Sequence, residues 1–292
     1  MPQRFDPTWA DAMDAIFPFP PRTKRGMKRQ GISPAFYIRA MRRWLAGPAS
    51  AAEPRLIHRD QDLAVAWVPG TSTRLVLVFF SINRKPLHPD RLEFQAAASD
   101  NGRNHVLVIN DRERSWYSMP GQRDRIVRVV RQFMARHGIE TVWSIGTSMG
   151  GHGAILFSGV LPISNVVAFV PQVLMTRAVT DRLVWNAHRP RLRSGVEQDL
   201  TPIMAAADCS FNIVTGDKHH DDPIHLAHIR KQLPDAGNVR IVVVPGQKHN
   251  VCNWLETQGK LADLIAALWA GDRLALDRCS KALRTPLDLT LA

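Results

Sequence analysis

Ser148 is the residue from which a reaction can be built. It stands in Gly146-Thr147-Ser148-Met149-Gly150-Gly151, between the β-forming run TVWSIG (141–146) and the helix-forming run HGAILFSG (152–159). A serine on a tight strand-to-helix turn presents its hydroxyl at the top of a sheet. Glycine at 146 and 150 removes the Cβ atoms that would meet neighbouring backbone. The helix that follows points free N–H groups at developing negative charge. Those features suit nucleophilic attack on an acyl carbon. The same glycines, read structurally, make only a turn.

A serine hydroxyl is a poor nucleophile without a base. One known arrangement places the acid and the histidine after the serine in chain order, on loops after later strands. His249 lies in GQKHN, just past the run VRIVVVP (239–245). The loop after FNIVTG (211–216) reads Asp217-Lys218-His219-His220-Asp221-Asp222-Pro223, so three aspartates compete. Asp222 is preferred because Pro223 can open the next helix, with Asp217 and Asp221 as alternatives. An oxyanion needs two N–H donors at about 3 Å. Met149, directly after the serine, is one candidate; Ile82, in the loop after TRLVLVFF (73–80), is the other. The acid loop also suggests a metal, through His219, His220, Asp221 and Asp222 with His225 and His228 on one helix face. It lacks an HExxH-like spacing, and solvated or capping histidines account for it more simply. Neither a metal nor a cofactor is expected.

These residues need elements to position them. RLIHR (55–59) and LAVAWVP (63–69) read as edge strands, and TRLVLVFF (73–80) as a strand buried on both faces. DRLEFQAAAS (90–99) reads as a helix and HVLVIN (105–110) as a strand. From Gln122 to His137, Ile126, Val129, Val130, Phe133 and Met134 fall on one helical stripe. NVVAFVP (165–171) is a strand, DPIHLAHIRKQL (222–233) a helix, and one last helix is expected over about 251–270. Alternating strands and helices predict an α/β fold with a mostly parallel, doubly wound sheet. Residues 173–208 are too long for an ordinary connection and read as a small helical insertion that could cover a pocket. Trp116, Tyr117 and Trp185 are candidates to line it. The predicted organisation is a basic extension over 1–50, with a short helix after Ser33-Pro34, a domain over 51–272 and a tail over 273–292.

Taken together, these residues resemble the α/β-hydrolase superfamily over about 55–270. Gly146-Thr147-Ser148-Met149-Gly150 is similar to its nucleophile elbow and GQKHN to its histidine loop. GDKHHDDPIHLAHI and DRERSWY (111–117) look like loops of bacterial α/β-hydrolase-like proteins of cell-surface glycan and glycoprotein assembly, including acetyltransferase-like accessory secretion proteins. That likeness puts the acid at Asp222. The sequence departs from the common pattern twice. Phe80-Ser81 replaces a His-Gly after the third strand, so the pattern does not fix the second oxyanion donor, and the acid loop is longer than Gly-x-x-Asp. The resemblance implies a serine esterase, or an acyltransferase that carries an acetyl group to a glycan hydroxyl.

Composition narrows the classes. The 292 residues are 45% hydrophobic and 22% charged, as in a globular protein with a sizeable core. No apolar run approaches the roughly 18 residues of a membrane span. The N-terminus has no secretory-signal pattern, so a cytoplasmic location is expected. Three scattered cysteines argue against a disulfide framework. The net charge is +12, and residues 1–50 carry nine Lys/Arg against three Asp/Glu. That region would suit an anionic partner, or be a solvated basic arm. No nucleic-acid motif accompanies it. The expected partner of the domain is a small-molecule or glycan acyl substrate. The remaining reading is a non-catalytic module that binds a polyanion or a partner.

Overall fold

The computed structural model describes residues 54–82, 92–176, 198–282 and 288–291. Five apolar residues in a row make the third strand, and their alternation feeds two cores. Strand β1 spans Arg55–Arg59, β2 Leu63–Val68 and β3 Arg74–Phe79. Along β3, Leu75, Leu77 and Phe79 enter one hydrophobic cluster while Val76 and Val78 enter the other, with Phe80 following. This is the period-two alternation of a strand covered on both faces. Each fully buried Leu or Val contributes about 1.5–3 kcal/mol.

Helix α1 spans Gln95–Ser99, β4 His105–Asp111, α2 Gln122–His137 and β5 Thr141–Thr147. Helix α3 spans Met149–Leu156 and runs into a 3-10 turn over Phe157–Gly159; β6 is Ile163–Phe169. A two-residue ladder pairs β7 (Leu174–Met175) with β8 (Gln198–Asp199), and α4 covers Thr201–Ala206. Then come β9 (Ser210–Gly216), α5 (Asp222–Gln232) and β10 (Val239–Val244). Helices α6 (Val251–Thr257), α7 (Leu261–Ala270) and α8 (Arg273–Ala282) precede β11 (Asp288–Leu291).

The described strands form a nine-stranded sheet ordered β1-β2-β4-β3-β5-β6-β9-β10-β11. The run from β4 to β10 is parallel; β1, β2 and β11 are antiparallel. The sheet is therefore mostly parallel and doubly wound, with the expected antiparallel edge. Helices α2 and α3 cover one face through Ile126, Val130, Phe133 and Ile155. Helices α6, α7 and α8 cover the other through Leu255, Leu264, Leu268 and Leu276.

Some boundaries differ from the sequence reading. The helix after the serine starts at Met149 rather than 152. Gly150 and Gly151 read as turn residues, yet both join the helix because it packs too tightly for larger side chains. The expected last helix is two, broken at Gly259 (φ 64°), where Lys260 N–H donates to Leu255 O at 2.9 Å. That is a glycine stop in the polar run Glu256-Thr257-Gln258-Gly259-Lys260, between two apolar helical stretches. Residues expected as a tail hold α8 and β11, an added edge strand on β10. Of the insertion, the β7–β8 ladder and α4 are described; 177–197, with Trp185, lie outside the described residues. So do the basic extension and its expected helix. Among the described residues, no helix is long and apolar enough to cross a membrane.

The corner between β5 and α3 is the tightest point. A Cβ on Gly146 would lie 2.2 Å from the carbonyl of Gly150, and one on Gly150 would lie 2.1 Å from Phe79 O. Gly146→Ala is expected to lose about 1–3 kcal/mol or more in denaturant unfolding. Gly237→Ala, whose added Cβ meets nothing within 4 Å, is the neutral control.

Candidate active site

Ser148 turns the chain from β5 into α3 with φ 57° and ψ −118°. A non-glycine residue held there costs of order 1–3 kcal/mol. The sheet holds it: Ser148 N–H donates to Phe169 O at 2.8 Å. Ser148 is buried, at 7% exposed.

Two later loops converge on this hydroxyl. His249, beyond β10, lies with Nε2 at 3.0 Å from Ser148 Oγ and Nδ1 at 2.7 Å from Asp222 Oδ1. The order of donors follows: the Nδ1 proton is held by the carboxylate, and Nε2 accepts from the hydroxyl. Asp222 is the first residue of α5, and it is buried. The structure thus brings together the three residues expected to act together. Asp217 serves elsewhere: its Oδ1 accepts from Gly246 N–H at 2.6 Å, while Lys218 N–H donates to Gln247 O at 2.9 Å. These bonds fasten the acid loop to the histidine loop. Asp221 is buried at the head of α5, 3.3 Å from His220 Nε2.

Met149 opens α3, so its N–H has no carbonyl one turn earlier to bond. Ile82 lies just past β3, packed against the core. Ser81 before it is committed, with both its N–H and its hydroxyl donated to the half-buried Glu93. Burial raises the pKa of that carboxyl.

Gln172 was not among the residues read from sequence. It lies three residues past β6, and its Nε2 donates to Ser148 Oγ at 2.9 Å. Trp116 fixes which way the amide points, because its indole N–H can only donate, and it does so to Gln172 Oε1 at 3.1 Å. Trp116 and Tyr117 are both buried with positive φ, of 54° and 59°. Asp111 holds their loop, accepting from the N–H groups of Ser115 (2.6 Å) and Tyr117 (3.0 Å) and from Gln122 Nε2 (3.1 Å). DRERSWY is therefore a carboxylate-nucleated loop that delivers an indole to the glutamine. The one signal for Gln172 was topological: ligands of open α/β sheets gather at the carboxyl ends of parallel strands.

His152, on α3, is fully buried, and desolvation pushes its pKa down to about 4. It is neutral, with Nδ1 2.6 Å from Gln172 O and Nε2 2.7 Å from the Gln198 side-chain amide. The backbone carbonyl can only accept, so the single ring proton is on Nδ1. Gln198 then serves Nε2 best with its NH2 group, which otherwise has no partner among the described residues. His219 packs 5.0 Å from the His249 ring and 3.3 Å from Asp222 Oδ1.

Of the metal-reading residues, His219, Asp222 and His249 have ligand atoms within 4.8 Å of one another, as do His219, His220 and Asp221. His225 and His228 join neither set; His228 instead bonds Asp199 Oδ2 at 2.9 Å. The three cysteines, Cys209, Cys252 and Cys279, are free.

Solved structures share this fold. One similar structure is the capsule O-acetyltransferase of Neisseria meningitidis serogroup A, at 12% identity and TM-score 0.52 over 70% of this chain and 92% of that one. Est1E from Butyrivibrio proteoclasticus is similar at 14% identity and TM-score 0.53, over 75% of this chain and 100% of that one. The acylaminoacyl peptidase of Pyrococcus horikoshii is similar at 11% identity and TM-score 0.60, over 78% of this chain and 43% of that one. The chain has the α/β-hydrolase fold. At these identities the likeness lies in the fold. No protein-family model matches the chain, and no curated protein matches it.

His152 and His225 are both held near pKa 4 by burial, below the ordinary value of about 6.5. The unfolded chain therefore binds more protons between those values, and stability falls as pH drops through that window. Each histidine contributes up to about 1.4 kcal/mol per pH unit there. Chemical denaturation from pH 7 to pH 4 is expected to show this slope, and His152→Gln to flatten it.

Proposed function

We propose that the protein is a serine-dependent hydrolase of esters or related acyl bonds. The observation that carries this reading is the hydrogen-bonded line Asp222 Oδ1–His249 Nδ1 (2.7 Å) and His249 Nε2–Ser148 Oγ (3.0 Å), ending on a serine at φ 57°. Ser148 Oγ attacks the acyl carbon as its proton passes to His249 Nε2. Asp222 holds the imidazole in the tautomer that can take it and stabilises the imidazolium formed. The carbonyl π electrons move onto oxygen, which accepts hydrogen bonds from the N–H groups of Met149 and Ile82. The oxyanion then collapses, the alcohol leaves with the proton from His249, and an acyl-serine remains. Water, giving a proton to the same histidine, adds to the acyl carbon; the Ser148 Oγ–acyl bond then breaks, Oγ regains the proton from His249, and the acid is released. Gln172 donates to Oγ throughout the resting state and aims its lone pairs.

A sugar hydroxyl in place of that water would make the same site an acyltransferase. The likeness to a capsule O-acetyltransferase supports testing this acceptor. The product decides between them: free acid marks hydrolysis, and an acetylated sugar marks transfer.

A fluorophosphonate probe is expected to label the protein at Ser148, and Ser148→Ala to abolish the labelling. On p-nitrophenyl esters from acetyl to long acyl, His249→Asn and Asp222→Asn are expected to lower kcat by about 10³-fold or more. A folded wild type that neither labels nor turns over any ester, yet retains an anionic polymer, would instead mark a binding module. Gln172→Leu removes the donor to Oγ. It is expected to cost roughly tenfold in kcat, the worth of one hydrogen bond at the nucleophile, with KM little changed.

A further inference from the structure

Asp222 spends one carboxylate oxygen on His249. The other, Oδ2, is buried without a hydrogen-bond partner among the described residues, and so is His225 Nε2 one turn along α5. Asp222 and His225 are each 4% exposed. Both line the same small cavity, with Thr215 at the end of β9 and an apolar wall that includes Val170, Ile213 and Ile229. Its volume is about 10 Å³, close to the space one water needs. Two orphaned polar atoms around a space of that size are seldom left unpaired in folded proteins.

The protons decide what fits. Desolvation lowers the His225 pKa to about 4, so the ring is neutral at neutral pH. Leu174 N–H donates to Nδ1 at 3.5 Å, which leaves the ring proton on Nε2. Asp222 Oδ2 is an acceptor. Thr215 Oγ1 gives its proton to Gly216 O at 3.2 Å and keeps lone pairs to accept. One donor and two acceptors match a water molecule, which offers two protons and accepts in return. A cation would meet the Nε2 proton head-on.

We propose that this cavity binds one water, which accepts from His225 Nε2–H and donates to Asp222 Oδ2 and Thr215 Oγ1, making His225 and Thr215 positioning residues for the acid. The kinetic consequence rests on Asp222 acting as the acid of the proposed hydrolase; the water does not. The water stops the carboxylate from rotating away from His249 and stabilises its ionised form. The titratable groups facing His225 are Asp222 and His228 on its own helix, His152 from α3 and His249 from the loop after β10.

A high-resolution crystal structure of the full chain tests the water directly. The expected result is an ordered peak within hydrogen-bond distance of all three atoms, lost in His225→Leu. A cavity with no density in a well-ordered crystal overturns the site. The kinetic half is read from pH profiles of kcat/KM. Thr215→Val, nearly isosteric, and His225→Leu are each expected to lower kcat roughly tenfold, the loss of one charge-assisted hydrogen bond. KM stays unchanged. The acid limb moves to higher pH, because a less stabilised carboxylate is more basic and raises the imidazole with it. His225→Gln, which keeps a donor near the Nε2 position, is expected to restore both. Loss of activity with an unmoved acid limb and no rescue by glutamine would assign these residues to packing alone. A wild type that fails to label at Ser148 sinks the hydrolase, while the density still decides the water.

Discussion

The strand-to-helix corner at Ser148 is the constraint on which the rest of the molecule depends. Helix α3 must begin one residue after the serine and pass within contact of the end of β3. Only glycines at 146 and 150 allow that approach, since a Cβ at either position would fall near 2 Å from backbone. The gain is directional. The hydroxyl stands at the carboxyl edge of the parallel strands, and the first amide of α3 stands beside it. Strain at φ 57° is tolerated because the bond from Ser148 N–H to Phe169 O and two buried cores hold the turn from below.

Around that corner the polar groups form connected chains. One runs from Asp222 through His249 to Oγ. Another runs from Asp111 through its loop to Trp116, Gln172 and the same Oγ. His152 ties the helix below to Gln172. In a low-dielectric interior an unpaired group is costly, so such chains rigidify a site when every member is satisfied. Here the two orphans of α5 share one cavity, which is why that cavity, rather than the histidines of the acid loop, carries the next inference.

The legible parts of the site were those written in local pattern. GTSMGG between a β-run and an apolar helix, and a histidine just past the last parallel strand, were readable because backbone geometry demands particular residues there. The doubly wound sheet was readable for a similar reason: strands buried on both faces become continuous apolar runs. Less was visible where a residue's partner is distant in sequence. Gln172 looks like any loop glutamine until Trp116, 56 positions away, turns its amide toward the serine. The break at Gly259 is marked locally by the polar run Glu256-Thr257-Gln258-Gly259-Lys260, whereas β11 is a four-residue Asp288-Leu289-Thr290-Leu291 segment that is a strand only because β10 offers it an edge.

Taken alone, the sequence determined the α/β class, the serine at the corner and the histidine loop, because steric and hydrogen-bonding rules act there over a few neighbouring residues. It left three aspartates open. Tertiary structure decided among their positions: Asp217 fastens two loops, Asp221 heads α5, and Asp222 reaches the imidazole. The physical reason is that which carboxylate meets a ring 27 residues away depends on how β9 and β10 pair in register, a long-range fact no local pattern encodes.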